Sequence, residues 1–204
     1  MKHTDTYYFI GINGIGMSGL ANMLTQKGCT VLGSDSSDAI DIGKFKANGI
    51  VAFNTHDRQR IQADMVVVRS SAISNKNEEL IEAKKIGCNI IDRGVLLAQL
   101  ASQFSEKIAI AGTHGKTTTA AILTEIYQSA DLNPSYFVGG GLAGKQHGSI
   151  QSKDIIITEV DESDGSFLEM EPNKAIITNI GGGGGGGYNS KQDLIQAFSD
   201  FISQ

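Results

Sequence analysis

The stretch YYFIGINGIGMSGLANMLTQKG, residues 7–28, decides the fold of the first part of the chain. Its first six residues form an apolar run of strand length. Leu20, Met23 and Leu24 then recur at helical spacing before Gly28 ends the pattern. A strand, a glycine-rich turn and a helix in this order are typical of the opening of a doubly wound α/β domain. We therefore expect further strands to alternate with helices.

The rest of the chain continues this alternation. In the first part, strands are predicted at residues 29–35, 63–73 and 88–92, and helices at 42–49, 77–87 and 94–102. A second part repeats the pattern, with strands predicted at 107–112, 154–160 and 174–180, and helices at 113–130 and 190–203. Alternating strands and helices predict parallel sheets. We place two domains at residues 1–103 and 104–204.

Composition excludes several classes of function. The chain has 204 residues, is 40% hydrophobic and carries a formal net charge of -5, with its Lys and Arg residues dispersed. This predicts a globular protein that binds neither nucleic acid nor a membrane surface. Cys29 and Cys88 follow glycines in short apolar runs, which favours buried thiols over a disulfide or a metal site. We expect a cytoplasmic protein, monomeric or homodimeric.

The first glycine-rich turn has the features of a diphosphate site. Gly14, Gly16 and Gly19 satisfy G-x-G-x-x-G between a predicted strand and a predicted helix. In that context glycines let the backbone approach a pyrophosphate at the positive end of the helix. Asp35 ends the next strand, where an acidic residue meets a ribose in such folds. The alternatives are a turn whose glycines only permit close packing and a solvated carboxylate at Asp35.

The second turn, AGTHGKTTT, is the sharper signal. Its glycines present backbone N–H groups to phosphates, Lys116 supplies a positive charge, and the Thr117 hydroxyl can bind Mg²⁺. Ile110 stands where the usual P-loop has its first glycine, so this is a shortened variant. Lys116 and His114 are the candidate catalytic residues, and His114 either contacts substrate or only holds the loop. The candidate phosphate-binding residues are Gly112, Thr113, His114, Gly115, Lys116, Thr117 and Thr118.

A metal site is predicted opposite this turn. The apolar strand within DIIITEVDESD delivers Glu159 to its carboxyl end, and carboxylate oxygens suit Mg²⁺. We therefore pair Glu159 with Thr117 as metal ligands. Asp161, Glu162 and Asp164 are either further ligands or a solvated acidic loop.

Five motifs together resemble the Mur ligases: GINGIGMSGLA, VVRSSAI, IAIAGTHGKTTT, TEVDESDGSFL and AIITNI. The resemblance implies a Rossmann-like parallel-sheet domain that binds UDP rather than NAD, followed by part of a P-loop-type α/β ATPase domain. It also implies ATP and Mg²⁺ as cofactors and ATP-dependent ligation of L-alanine to UDP-N-acetylmuramate. In that reaction the sugar's carboxylate takes the γ-phosphate, and the amino group attacks the acyl phosphate. Ligases that attach a whole murein peptide are the nearest alternative.

The resemblance also implies roles for individual residues. Lys116 would hold the β- and γ-phosphates, with Thr117 and Glu159 on Mg²⁺. Such chemistry depends mostly on positioning and charge neutralisation. The alternative for His56 is a histidine in a surface loop that does not contact the ligand. The residues implied for the sugar nucleotide are Gly14, Ile15, Gly16, Met17 and Ser18 at the diphosphate and Asp35, His56 and Ser70 near the nucleoside or sugar.

The sequence departs from the family pattern in two places. Seven glycines, Gly181–Gly187, stand where the family has an acidic segment with a metal-binding His, which would fall at Gly184. A substitution, a natural linker and unestablished residues written as glycine are the possible explanations, and we favour altered or unestablished residues because glycine destabilises folded segments. The chain also ends at Gln204, inside the expected ATP-binding domain. We expect this chain to bind nucleotides without completing the ligation.

Two other classes of function compete with a ligase. An NAD-dependent dehydrogenase or NAD-binding regulator explains residues 7–35 but leaves the second turn without a role. A non-catalytic module that senses nucleotides would use both turns. ATP hydrolysis by a longer form of the protein, abolished by Lys116→Ala, would argue against such a module.

Overall fold

The structure is a computed structural model that describes residues 5–140, 145–163, 165–181 and 187–204. The chain divides into two compact units, Met1–Arg93 and Gly94–Gln204. The sequence had placed this division ten residues later, between the predicted domains. All but the first residue of helix α4 (Arg93–Ala101) is therefore grouped with the second unit.

The first unit is built around a five-stranded, all-parallel sheet in the order β3-β2-β1-β4-β5. Its strands are β1 (Thr6–Ile10), β2 (Thr30–Ser34), β3 (Val51–Phe53), β4 (Val66–Arg69) and β5 (Asn89–Asp92). Its complete helices are α1 (Ile15–Gln26), α2 (Ile42–Ala47) and α3 (Glu78–Ile86), with a 3₁₀ turn at Arg58–Arg60. The predicted Rossmann-like arrangement is confirmed, with β3 as a strand that the sequence reading did not identify.

Apolar side chains from both faces of this sheet form the core. On one face Tyr8, Ile10 and Val67 pack with Leu80 and Ala83 of α3. Strand order reverses at β1, since β2 and β3 lie on one side of it and β4 and β5 on the other. In open α/β sheets, ligands bind outside the carboxyl ends of the strands at such a reversal. The first glycine-rich turn leaves β1 at this point.

The second unit has a five-stranded sheet in the order β10-β6-β9-β7-β8. Its strands are β6 (Glu106–Ala111), β7 (Ser135–Phe137), β8 (Gly148–Ser149), β9 (Ile155–Glu159) and β10 (Lys174–Ile177). All neighbours are parallel except β7 and β8. Helix α5 (Lys116–Ser129) follows β6 directly after the second glycine-rich turn. The predicted α/β organisation is confirmed here too, with β7 and β8 as additions.

The apolar spacing of helix α5 predicts one buried face formed by Ile122, Leu123, Ile126 and Tyr127, and half of that face packs in the structure. Ile122 and Ile126 are more than half exposed. Ala120 and Leu123 pack instead into the core of the unit, and Thr124 is fully buried with its hydroxyl donating to the Ala120 carbonyl oxygen at 2.8 Å. Tyr127 packs against the same core, so the buried side of α5 combines two residues of the predicted face with the small side chain of Ala120.

The last helix, α6 (Lys191–Ile202), begins as predicted at Ser190, whose hydroxyl accepts a hydrogen bond from the Asp193 N–H at 3.1 Å. No helix within the described residues is long and apolar enough to cross a bilayer. Two predicted positions, Asp164 in the acidic segment and Gly184 in the glycine run, lie outside the described residues.

Candidate functional site

The first glycine-rich turn is tied to the end of the neighbouring strand. The N–H groups of Gly11 and Ile12 donate to the Ser34 carbonyl oxygen at 2.8 and 3.0 Å. Gly11 has a φ of +84°, which a glycine adopts without strain. Helix α1 then begins at Ile15 with Gly14 as its cap. Its first N–H groups have no partner within the helix, so the turn presents a positive helix end at the carboxyl edge of the sheet.

The five residues predicted for the diphosphate all lie at this helix end, but their side chains differ in role. Met17 is buried in the core, and Ile15 is about half exposed. The Ser18 hydroxyl donates to the Ile15 carbonyl oxygen at 3.0 Å. The turn therefore offers ligands mainly through its backbone, as the pattern of Gly14 and Gly16 predicts.

Arg93 lies across this turn and was missed by the sequence reading. A Cβ on Gly16 would lie 2.6 Å from Nη1 of Arg93, so the guanidinium lies directly against this glycine. Arg93 directly follows β5. Its position after a parallel strand is the signal that could have identified it, because carboxyl ends of parallel strands share one edge.

Asp35 also reaches the first turn. Its carboxylate accepts hydrogen bonds from the N–H groups of Asn13 at 3.0 Å and Ser37 at 2.9 Å. Asp35 thus braces the glycine-rich turn at the predicted position on the edge of the sheet. Ser70 follows β4 at the same edge, half-buried, with its carbonyl oxygen accepting from the Ile73 N–H at 3.1 Å.

His56 is held by a buried carboxylate that the sequence reading missed. Its Nδ1 lies 2.7 Å from Oε2 of Glu79 and 2.9 Å from Oγ of Ser34. Glu79 is fully buried and also accepts from the Tyr8 hydroxyl at 2.6 Å. Burial and the bond to Glu79 raise the pKa of Tyr8. The sequence signal was an acidic residue beside Leu80 on the buried side of an amphipathic helix.

The second glycine-rich turn is braced by the end of β10. The Thr178 hydroxyl and the Asn179 amide donate to the His114 carbonyl oxygen at 2.6 and 2.8 Å. The His114 N–H donates to Oδ1 of Asn179 at 3.2 Å, and the Thr113 N–H donates to the Asn179 carbonyl oxygen at 3.1 Å. Thr178 and Asn179, which the sequence reading did not single out, therefore hold the backbone of this turn.

Gly112 and Gly115 have positive φ angles of +130° and +83°, which turn the chain into α5. A Cβ at residue 112 would lie 2.2 Å from Oγ1 of Thr178. The predicted ATP-binding residues follow one another through this turn, and Lys116, Thr117 and Thr118 form the first residues of α5. The glycines are therefore required both by backbone conformation and by close approach to β10.

Lys116 has two acceptors. Its Nζ donates to the Gly112 carbonyl oxygen at 2.6 Å and to Oε2 of Glu162 at 2.8 Å. Glu162 is buried, with only 7% of its surface exposed. Of the three acids left open by the sequence, Glu162 is therefore paired with the turn's lysine. Ser163 and Asp161 form a local turn beside it, with the Ser163 N–H donating to Oδ1 of Asp161 at 3.0 Å.

Glu159 and Thr117, the predicted metal ligands, both lie against one pair of glycines. A Cβ on Gly139 would lie 2.1 Å from Oε1 of Glu159, and one on Gly140 would lie 2.4 Å from Cγ2 of Thr117. Oε2 of Glu159 is buried and accepts no hydrogen bond from the described residues. A buried carboxylate oxygen without a donor fits a hard cation such as Mg²⁺. Mg²⁺ is usually bound by one or two carboxylates together with substrate phosphates.

Comparison with known proteins gives relatives over nearly the whole chain. The family described as "Mur ligase family, catalytic domain" matches residues 6–105. UDP-N-acetylmuramate–L-alanine ligase of Hydrogenobaculum sp. is 42% identical over 198 residues, 97% of this chain and 44% of that protein. The enzyme of the same name from Pelagibacter ubique is 41% identical over 205 residues, 100% of this chain and 44% of that protein. The chain thus spans less than half the length of these relatives.

Solved structures show the same fold. UDP-N-acetylmuramate-alanine ligase of Thermotoga maritima matches with a TM-score of 0.88 and 28% identity, over 97% of this chain and 47% of that one. UDP-N-acetylmuramate:L-alanyl-gamma-D-glutamyl-meso-diaminopimelate ligase of Neisseria meningitides matches with a TM-score of 0.86 at 22% identity, over 98% of this chain and 68% of that one. At that identity the second match supports the fold alone.

Proposed function

The chain belongs to the Mur ligase family, and from this premise we propose that it binds UDP-N-acetylmuramate in its first unit and ATP with Mg²⁺ in its second. The proposed reaction is ATP-dependent ligation of L-alanine to the sugar's carboxylate through an acyl phosphate. L-alanine is the proposed acceptor because relatives at 42% and 41% identity carry that name. Both nucleotides are cytoplasmic metabolites, so the proposed location is the cytoplasm.

The observation that supports the ATP site most strongly is the buried Oε2 of Glu159, which has no hydrogen-bond donor among the described residues. Glu159 lies against Gly139, and Thr117 lies against the next residue, Gly140. Mg²⁺ held there would neutralise charge on the transferring phosphoryl group. Lys116 would move its ammonium group from Glu162 to the β- and γ-phosphates. The backbone N–H groups of the second turn would orient those phosphates, with Thr178 and Asn179 keeping the turn rigid.

In the first unit, the backbone of residues 14–18 would bind the diphosphate, and the Arg93 guanidinium next to Gly16 adds a second positive group to that place. Asp35 fixes the turn through the Asn13 N–H, and its carboxylate oxygens can each accept a further hydrogen bond from the nucleoside or sugar. His56 and Ser70 lie at the same carboxyl edge, where the nucleoside and sugar would extend.

Calorimetric titration of the chain tests the proposal. We expect saturable binding of UDP-N-acetylmuramate and, separately, of ATP in the presence of Mg²⁺, and no binding of NADH. Binding of NADH without the sugar nucleotide would overturn the assignment of the first turn. The acceptor is tested by phosphate release on adding L-alanine or a murein peptide to a form of the protein that spans the length of its relatives. Phosphate release with the murein peptide but not with L-alanine would overturn the proposal that L-alanine is the acceptor.

A further inference from the structure

The first unit buries one carboxylate completely and surrounds it with donors. Glu79, the second residue of α3, accepts hydrogen bonds from the Tyr8 hydroxyl at 2.6 Å and the Ser34 hydroxyl at 2.5 Å. Nδ1 of His56 lies 2.7 Å away, and the Asp57 N–H donates at 3.0 Å. A buried charge is unfavourable unless it is paired and hydrogen-bonded. Four partners from β1, β2 and the loop after β3 meet that requirement.

This network extends from the core to the edge where the sugar nucleotide is proposed to bind. Tyr8 and Glu79 are fully buried, whereas the His56 side chain is 20% exposed. Ser34 ends β2, and the next residue, Asp35, braces the first glycine-rich turn. Among the side chains that contact Glu79, His56 is therefore the one that reaches solvent.

The arrangement fixes which nitrogen of His56 carries a proton. An ionised carboxylate can only accept hydrogen bonds, so Nδ1 must donate to Glu79. In the neutral ring this leaves a lone pair on Nε2. Nε2 makes no hydrogen bond to any part of the chain that the structure describes. The ring is thus oriented by its buried nitrogen and leaves the other nitrogen available to a ligand.

We propose that Glu79 is a positioning residue for sugar-nucleotide binding: it holds the His56 ring with the proton on Nδ1, so that Nε2 accepts a hydrogen bond from a ligand hydroxyl. The inference rests on the proposed function for its ligand. The hydroxyl belongs either to the ribose or to the amino sugar, and UDP separates the two because it has the ribose alone.

The ring itself is tested without any ligand. In nitrogen NMR spectra of the wild-type chain with the imidazole neutral, assigned with His56→Ala, we expect the shifts of the Nδ1–H tautomer. In Glu79→Gln we expect a mixture of tautomers, and in the exposed neighbour Glu78→Gln no change. An Nε2–H tautomer in the wild-type chain would overturn the proposal, and this result does not depend on whether Glu79→Gln folds.

Binding is tested by calorimetry on the same proteins. We expect Glu79→Gln to weaken binding of UDP-N-acetylmuramate several-fold, because only the fraction of rings with the proton on Nδ1 can accept the hydrogen bond, and to leave ATP binding unchanged. If UDP binding is weakened by the same factor, the hydroxyl belongs to the ribose. If only UDP-N-acetylmuramate binding is weakened, the hydroxyl belongs to the amino sugar. In a His56→Ala background, Glu79→Gln should have no further effect, and an undiminished effect there would overturn the proposal. Failure of the wild-type chain to bind the sugar nucleotide would instead count against the proposed function.

Discussion

The ammonium group of Lys116 lies 2.8 Å from Oε2 of Glu162, a carboxylate that is buried and adjoins the strand end carrying Glu159. The two side chains are 18% and 10% exposed, so solvent screens the pair only weakly. Without nucleotide, the cation that the proposed mechanism assigns to phosphate is therefore neutralised by the protein. In the proposed site, ATP would therefore compete with Glu162 for Lys116.

Lys116→Ala is expected to weaken ATP binding by about 10- to 100-fold, because a hydrogen-bonded charge partner of the phosphates is lost. UDP-N-acetylmuramate binding should stay within error, since that site is proposed in the other unit. Calorimetry with each nucleotide measures both effects. The exposed Lys153→Ala is the matched control. If a folded variant lost binding of both ATP and UDP-N-acetylmuramate, the assignment of one nucleotide to each unit would be contradicted.

Glu162→Gln is expected to tighten ATP binding several-fold. The neutral amide would hold Lys116 less strongly than the carboxylate does, so the phosphates would meet a weaker competitor. The substitution should also lower the free energy of unfolding by about 1–2 kcal/mol, as a buried charged hydrogen bond is weakened. Denaturant unfolding and calorimetry report the two effects on one preparation. Weaker ATP binding would show instead that Glu162 acts on the nucleotide or its metal.

Glu159→Gln separates metal binding from folding. Oε2 of Glu159 is buried without a donor in the described part of the chain, so removing its charge should leave thermal stability unchanged or raise it when Mg²⁺ is absent. The added stability that Mg²⁺ and ATP together give the wild-type chain should be lost. Melting curves with and without Mg²⁺ and ATP measure this, with the exposed Glu171→Gln as control. Retained stabilisation by Mg²⁺ and ATP would remove Glu159 from the metal site.

The local patterns in the sequence were sufficient for both glycine-rich turns, because strand, turn and helix there are consecutive and each has its own spacing. The same patterns predicted that Lys116, Thr117 and Glu159 form one group. The turn that follows β6 and the end of its parallel neighbour β9 lie at the same edge of the sheet. The Ile110–Glu159 register of β6 and β9 bears out that shared edge.

The supporting residues were not predictable in the same way. Glu79 is 71 positions from Tyr8, and Thr178 is 64 positions from His114. No periodicity links residues so far apart, because their contact depends on strand order in the folded sheet. The buried side of α5 was predicted only in part. Apolar spacing marks Ile122 as well as Leu123, but in the structure Leu123 packs beside Ala120 while Ile122 is exposed.

Gly112→Ala should disable the second turn. The φ of +130° is strained for any residue with a side chain, and the new Cβ would lie 2.9 Å from the Asn179 carbonyl oxygen as well as against Thr178. We expect a loss of unfolding free energy of about 1–3 kcal/mol and loss of ATP binding. Gly43→Ala, in α2 at negative φ with its nearest contact at 3.3 Å, is the control. Thr178→Ala should not rescue the variant, because the backbone clash remains. ATP binding at the wild-type level would contradict the close approach.

Buried tyrosines predict alkaline unfolding. Burial raises the pKa of Tyr7 to about 12 and also raises those of Tyr8 and Tyr136. Unfolded tyrosine titrates near pH ~10. A folded pKa above the unfolded value gives stability that is complete below pH ~10 and is lost as pH rises towards the folded value. Near-ultraviolet tyrosinate absorbance should therefore rise in two steps, the second coinciding with loss of circular dichroism.

Tyr7→Phe isolates this effect. The variant removes one late-titrating phenol, so the midpoint of alkaline unfolding should move to higher pH, while unfolding at neutral pH changes little. Tyr8→Phe should behave differently, because Glu79 loses a donor and stability falls at neutral pH as well. Tyr127→Phe, which is half-buried, serves as the control. The opposite result is that all five tyrosines titrate together near pH ~10 while the circular dichroism stays native. That result would mean that burial does not hold these phenols neutral, and it would contradict the close packing of Tyr7 and Tyr8 in β1.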